Sequence, residues 1–142
     1  MTTLFSKIIA GEIPGRFVWE DEVAVGFLTI APITDGHTLV VPREEFDQFT
    51  DAPDDVLAHL SLVAKKIGVA QRAAWNAPRA AVLIAGFEIP HLHVHVLPAW
   101  DETSLSFSYA RTDVEPEVLD DAAERIRAEL VKAGHSEFVP QP

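Results

Sequence analysis

The chain has 142 residues, 48% of them hydrophobic and 23% charged, with a mean hydropathy of +0.12, which fits one domain with a real core and not a disordered chain. Eleven Lys and Arg against 22 Asp and Glu give a formal charge of −11, which argues against nucleic acid or an anionic membrane surface as the main partner, because both demand a basic patch. Having no cysteine excludes disulfides and thiolate metal sites, and with no run of about 18 apolar residues and no basic-then-apolar N-terminus the expectation is a soluble, cytoplasmic protein.

Thr3 can cap a short helix over Leu4 to Ala10, with Leu4, Phe5, Ile8 and Ile9 on its apolar side and Gly11 to end it. Glu12-Ile13-Pro14-Gly15 reads as a turn. Arg16 to Glu20 is rich in β-forming residues, Glu20-Asp21-Glu22 is a turn, and Val23 to Ile30 is a second strand, so the three make a hairpin. The loop Ala31 to Gly36 delivers His37 to the start of a third strand, Thr38 to Pro42.

Residues 43 to 55 are acid-rich and read as a solvated connection with a helix start at Asp51 or Pro53. From there Val56, Leu60, Val63, Ile67, Ala70 and Ala74 step by fours and threes, a helical stripe suited to packing on a sheet and ending near Asn76-Ala77-Pro78. His59 lies off the stripe and reads as an exposed histidine without a role. The apolar run Ala80 to Ala85 is short enough for a buried strand, and Gly86-Phe87-Glu88 turns it toward a second strand from Pro90 to Pro98.

Residues 99 to 114 are mixed polar and aromatic and read as irregular. Val118, Leu119, Ala122, Ile126 and Leu130 mark a terminal helix from about Pro116 to Ala133-Gly134, and the last eight residues, His135 among them, read as a tail with no role. Helix, three strands, long helix, two strands, helix predicts an α+β domain built on an antiparallel sheet. There is neither a phosphate-binding glycine motif nor a Gly-x-Ser-x-Gly elbow.

Within Pro90-His91-Leu92-His93-Val94-His95-Val96-Leu97-Pro98 three histidines alternate with aliphatic residues between two prolines. Successive side chains on a strand point to opposite faces, so the histidines share one face and Leu92, Val94 and Val96 supply the core with the other. Pro90 can begin such a strand and Pro98 can end it. Three aligned imidazoles suit either a metal or chemistry on an anionic substrate, with one imidazole as nucleophile or base. At a rise of ~3.3 Å per residue His91 and His95 lie about 13 Å apart, so one ion does not easily collect all three, although a pair at i, i+2 could chelate with a third ligand from elsewhere.

The run His91-Leu-His93-Val-His95-Val96-Leu97 resembles the signature of the histidine-triad (HIT) superfamily, His-φ-His-φ-His-φ-φ with φ hydrophobic. Phe5 to Pro14, Trp19 to Glu22 and Gly36 to Pro42 are similar to the other blocks of its Hint-like nucleotide-binding branch, in order over roughly residues 4 to 98. The resemblance implies a single domain over 1 to 142 in two layers, a five-stranded antiparallel sheet with the long helix packed on it, and a C-terminal extension, 99 to 142, carrying the last helix. It also implies a homodimer whose sheet continues across the partner.

Functionally, the resemblance implies a hydrolase that cleaves a phosphoramidate or related bond at the α-phosphate of a purine nucleotide or its conjugate, with no cofactor. His93 is then the nucleophile, forming a nucleotidyl-histidine that water hydrolyses; His95 serves the phosphoryl oxygen or leaving group; His91 and His37 orient the pair. Leu4, Phe5, Ile8, Phe27 and Ile30 carry over as the base pocket, and main-chain N–H groups near Glu88 and Ile89 as phosphate donors. Thr29 stands where an aspartate usually holds the ribose hydroxyls, and Phe87 and Glu88 replace the usual contacts ahead of the triad. An ionised Glu88 would repel a phosphate by about 4 kcal/mol at 4 Å and an effective dielectric of 20, unless it points away, is protonated or meets a cationic leaving group. Ser6 and Glu45 stand where many relatives have cysteine and histidine, so no structural zinc site is expected. The alternatives are a dinucleoside polyphosphate hydrolase and a non-catalytic nucleotide-sensing module on the same fold.

Overall fold

The structure is a computed structural model that describes residues 2–141. Helix α1 (Leu4–Ile9) begins where the Thr3 hydroxyl accepts the Ser6 N–H at 3.1 Å, one of the backbone donors that a helix start leaves unpaired. The hairpin of β1 (Phe17–Glu20) and β2 (Ala24–Leu28) turns on Asp21, whose Oδ1 accepts the N–H groups of Val23 and Ala24, both at 2.8 Å. The second strand is shorter than the Val23 to Ile30 expected. Thr29 lies just past its end, with Oγ1 accepting the Ala31 N–H to bend the chain outward, and Ile30 is left 74% exposed.

Gly36, at φ +86°, opens β3 (Thr38–Pro42); a side chain there would meet the Trp75 ring at 2.6 Å, so both the backbone and the space require glycine. Helix α2 (Asp54–Trp75) follows and stops at Asn76, which takes the left-handed conformation at φ 51°. Strands β4 (Arg79–Leu83) and β5 (Val94–Ala99) complete an antiparallel sheet in the order β1-β2-β3-β5-β4.

Two expectations about the last strands are corrected. The Ala80 to Ala85 strand is not buried: β4 is an edge strand, its Val82 is 54% exposed, and it ends at Leu83. The histidine strand starts at Val94 rather than Pro90, because the groups of residues 91 and 92 bond to the chain before α2 instead of to a ladder. It also runs through Pro98. The Pro98 carbonyl accepts from Thr34 Oγ1 at 2.8 Å, and its ring nitrogen faces the same side, where β3 has already ended at the pair Thr38 and Val96, so no ladder bond is lost.

One sheet face packs against α2 and α3 (Pro116–Lys132). Leu60, Val63, Ala64 and Ile67 of α2 and Ala122, Ala123, Ile126 and Leu130 of α3 share one buried cluster with Val18, Val40, Leu92, Val94 and Val96. The C-terminal segment is not the loose tail expected. Phe138 stacks on Trp19 at 4.8 Å, His135 packs edge-on against the same ring, and Val139 is buried in the cluster. His59 is likewise only part-exposed and bonds Asp21 Oδ2 at 2.8 Å. The other sheet face carries α1 and a second cluster of Phe5, Ile8, Val25, Phe27, Leu39 and Val41. His95 pairs with Leu39 across the ladder, so it shares that face. No helix among the described residues is long and apolar enough to cross a membrane.

Candidate active site

The ring nitrogens of the histidines can be assigned one by one from their partners. His37 Nδ1 accepts the backbone N–H of Ile33 at 3.1 Å, so the proton of the neutral ring is on Nε2. That Nε2–H donates to His95 Nδ1 at 2.9 Å, which places the His95 proton on its own Nε2. His93 Nδ1–H donates to the His91 carbonyl at 2.7 Å, which leaves Nε2 of His93 as a bare lone pair. His91 is fully buried, donates through Nε2 to the Pro42 carbonyl at 2.8 Å and takes the Thr3 hydroxyl on Nδ1 at 2.7 Å.

Burial favours the neutral form of His37, His93 and His95. It pushes His37 down to about 3, helped by the nearby His95 and His93, and His95 down to about 4, helped by His93. His93 is also lowered by burial, although its bond to the His91 carbonyl and the nearby Glu88 carboxylate act the other way. Near neutral pH the lone pair of His93 is therefore free for attack.

The His93 and His95 rings lie 4.9 Å apart, Phe5 closes on His93 at 4.9 Å and on His91 at 5.8 Å, and Phe107 closes on His95 at 4.9 Å. A bare nucleophilic nitrogen thus sits beside a ring whose Nε2–H is a neutral donor, in a nest of aromatic edges. Such a pair suits attack on an electrophile that carries an anionic oxygen. Among the described residues no group of three or more His, Cys, Asp or Glu is arranged to hold a metal ion.

Of the expected site residues, His37, His93 and His95 come together directly, and His91 reaches the group through its carbonyl. Phe5, Ile8 and Phe27 form one buried cluster with Ile89 at its border, continuous with the triad through Phe5. Leu4, 44% exposed, and Ile30 are not in that cluster. Thr29 donates its N–H to the His37 carbonyl at 3.2 Å. Glu88 is exposed on the bend before the triad. Nothing in the sequence pattern marks Phe107 or Glu45 as a site residue: Phe107 sits in an aperiodic stretch, on a 3₁₀ turn at 107–109, and Glu45 in an acidic run that resembles ordinary surface.

Residues 10–102 match the family model described as the HIT domain. This chain belongs to the HIT family. A HIT-like protein of Methanocaldococcus jannaschii is 38% identical over 102 residues, covering 69% of this chain and 79% of that protein. The adenosine 5'-monophosphoramidase of Saccharomyces cerevisiae is 33% identical over 102 residues, covering 71% of this chain and 65% of the yeast protein. Among solved structures, a zinc-bound histidine-triad family protein from Mycobacterium smegmatis superposes with a TM-score of 0.82 at 30% identity, covering 96% of this chain and 98% of the other. The five-stranded antiparallel sheet with its helices is the HIT fold, and α3, beyond the matched region, packs into the same core as α2.

Proposed function

We propose that this HIT domain hydrolyses a phosphoramidate or related bond at the α-phosphate of a purine nucleotide derivative, through a nucleotidyl-His93 intermediate. One observation carries the reading: the rings of His93 and His95 lie 4.9 Å apart, each fixed by a hydrogen bond on Nδ1 that leaves Nε2 unprotonated in His93 and protonated in His95. The resemblance to a phosphoramidase supports the choice of bond.

In this mechanism the His93 lone pair forms a bond to the α-phosphorus as the bond to the departing nitrogen breaks. The His95 Nε2–H donates to a phosphoryl oxygen or to the departing group as charge develops. Water then attacks phosphorus, the P–Nε2 bond breaks and its electron pair returns to His93. Overall the water supplies the hydroxyl kept by the phosphate and the proton that ends on the amine. The cluster of Phe5, Ile8, Phe27 and Ile89 offers the base an apolar berth next to the phosphate position. Glu88, exposed ahead of the triad, favours an amine leaving group, since a cation offsets its charge against the phosphate.

The same reading includes a homodimer whose sheets join edge to edge through β4. Among the described residues that strand has no partner on its outer side, and Val82 on it, with Leu62 and Val69 on α2, is more than half exposed. The test of function is turnover: the purified protein releases AMP or GMP from a nucleoside phosphoramidate, and His93→Ala abolishes release. A protein that binds the nucleotide but turns over neither a phosphoramidate nor a dinucleoside polyphosphate is a binding module instead.

A further inference from the structure

The turn that carries the nucleophile lies beyond the β3–β5 ladder. The β3–β5 register ends at the pair Val40 and Val94, so His91, Leu92 and His93 lie beyond the ladder. His91 and Leu92 are held by the last residue of β3 and the chain just after it, and His93 is held through His91. The Pro42 carbonyl accepts the His91 Nε2–H at 2.8 Å, and the Phe46 carbonyl accepts the Leu92 N–H at 2.6 Å. Between them Glu45 acts through the N-terminus: its Oε1 accepts the Thr3 N–H at 3.0 Å and the Ser6 hydroxyl, while Thr3 Oγ1 lies 2.7 Å from His91 Nδ1.

The donors along this path follow in sequence. His91 spends its proton on Pro42, so its Nδ1 is bare and the Thr3 hydroxyl donates to it. The same hydroxyl oxygen accepts the Ser6 N–H that starts α1, so its one proton goes to His91 while a lone pair caps the helix. The Glu45 carboxylate fixes the main chain of Thr3 and the side chain of Ser6, which are the two ends of this cap. These bonds hold its carboxyl below the usual range, so it is ionised at neutral pH, where charge-assisted bonds are strongest. The path continues from the His91 carbonyl to His93 Nδ1.

We propose that Glu45 is a positioning residue: through Thr3 and Ser6 it clasps α1 onto His91 and so fixes the ring of His93 from a distance, without touching substrate. The inference rests on His93 as the nucleophile. Because both donors meet the same oxygen, Oε1, an amide oxygen can replace it, which separates the clasp from a general effect of negative charge.

The experiment combines turnover of AMP phosphoramidate with ¹⁵N NMR of histidine-labelled protein. In Glu45→Ala kcat falls about tenfold while Glu45→Gln stays within about twofold of wild type, the scale expected for coupled contacts. Thr3→Val loses as much as Glu45→Ala, and the double variant loses no more than either, because all act along one path. In Glu45→Ala the His91 Nδ1 resonance moves toward that of a nitrogen without a hydrogen bond, and the His93 Nδ1–H signal broadens or shifts. Wild-type kcat with unmoved ring nitrogens in Glu45→Ala overturns the proposal, as does a loss that Glu45→Gln fails to recover or losses that add in the double variant. If the wild type turns over no nucleotide substrate, the nucleotidyl reading falls while the nitrogen resonances still decide the clasp.

Discussion

The buried ring of His37 donates from Nε2 to Nδ1 of His95 across 2.9 Å, and so decides which nitrogen of His95 carries the proton. His37 is itself set by the Ile33 N–H, which makes the Thr34 to Gly36 turn part of the site. Replacing His37 by Ala leaves His95 free to take either tautomer. The expected result is a loss of about a hundredfold in kcat toward a phosphoramidate, the low end of what a positioned donor contributes. Nucleotide affinity by calorimetry changes little, because the apolar cluster around Phe5 and Phe27 is untouched. A variant with lost affinity and intact kcat would contradict this division of labour.

The histidine cluster also makes stability depend on pH. In the unfolded chain these rings titrate near 6.5, while in the fold His37 lies at about 3 and His95 at about 4. Depressed values mean that the folded state binds fewer protons, so the stabilisation is fully present above pH 6.5 and is lost as pH falls from there toward 4 and then 3. Each such histidine steepens the loss by up to about 1.4 kcal/mol per pH unit. Urea midpoints measured from pH 7.5 to 4.5 should fall below about pH 6.5, with a shallower slope in His37→Gln, which removes one titrating ring. Equal slopes in the two proteins would show that His37 is not the group being titrated.

The free edge of β4 bears on assembly. Val69→Asp places a carboxylate on the face of α2 that borders β4, beside the exposed Val82. Sedimentation of the wild type should give a dimer and of Val69→Asp a monomer with unchanged circular dichroism. A wild-type monomer, or a dimer indifferent to Val69→Asp, would remove this edge as the interface.

Local sequence carried most of the architecture: the Thr3 cap, the Asp21 turn, the stripe of α2 and its stop at Asn76 are each decided by neighbours within a few residues. What escaped was decided at a distance. Alternation predicted a straight strand from Pro90, but His91 and Leu92 bond across to residues 42 and 46, so only His93 and His95 present themselves as an adjacent pair. The exposure of β4 depends on its place at the sheet edge, which an apolar run cannot reveal. Burial of Val139 and the Phe138–Trp19 stack were hidden by a polar, turn-rich terminus, and Phe107 reached His95 from a stretch with no period to read. The candidate nucleophile and its donor were legible because three histidines at alternate positions have no use in a core, whereas Glu45 became visible only once the fold brought it to Thr3.

Whether His93 becomes covalently nucleotidylated is read by a rapid alkaline quench of the protein turning over an AMP phosphoramidate, followed by intact and peptide mass spectrometry. The expected result is a transient species heavier by one AMP moiety, mapped to His93 and absent from His93→Ala. Full hydrolysis by the wild type with no adduct at any time, together with undiminished hydrolysis by His93→Ala, would contradict it.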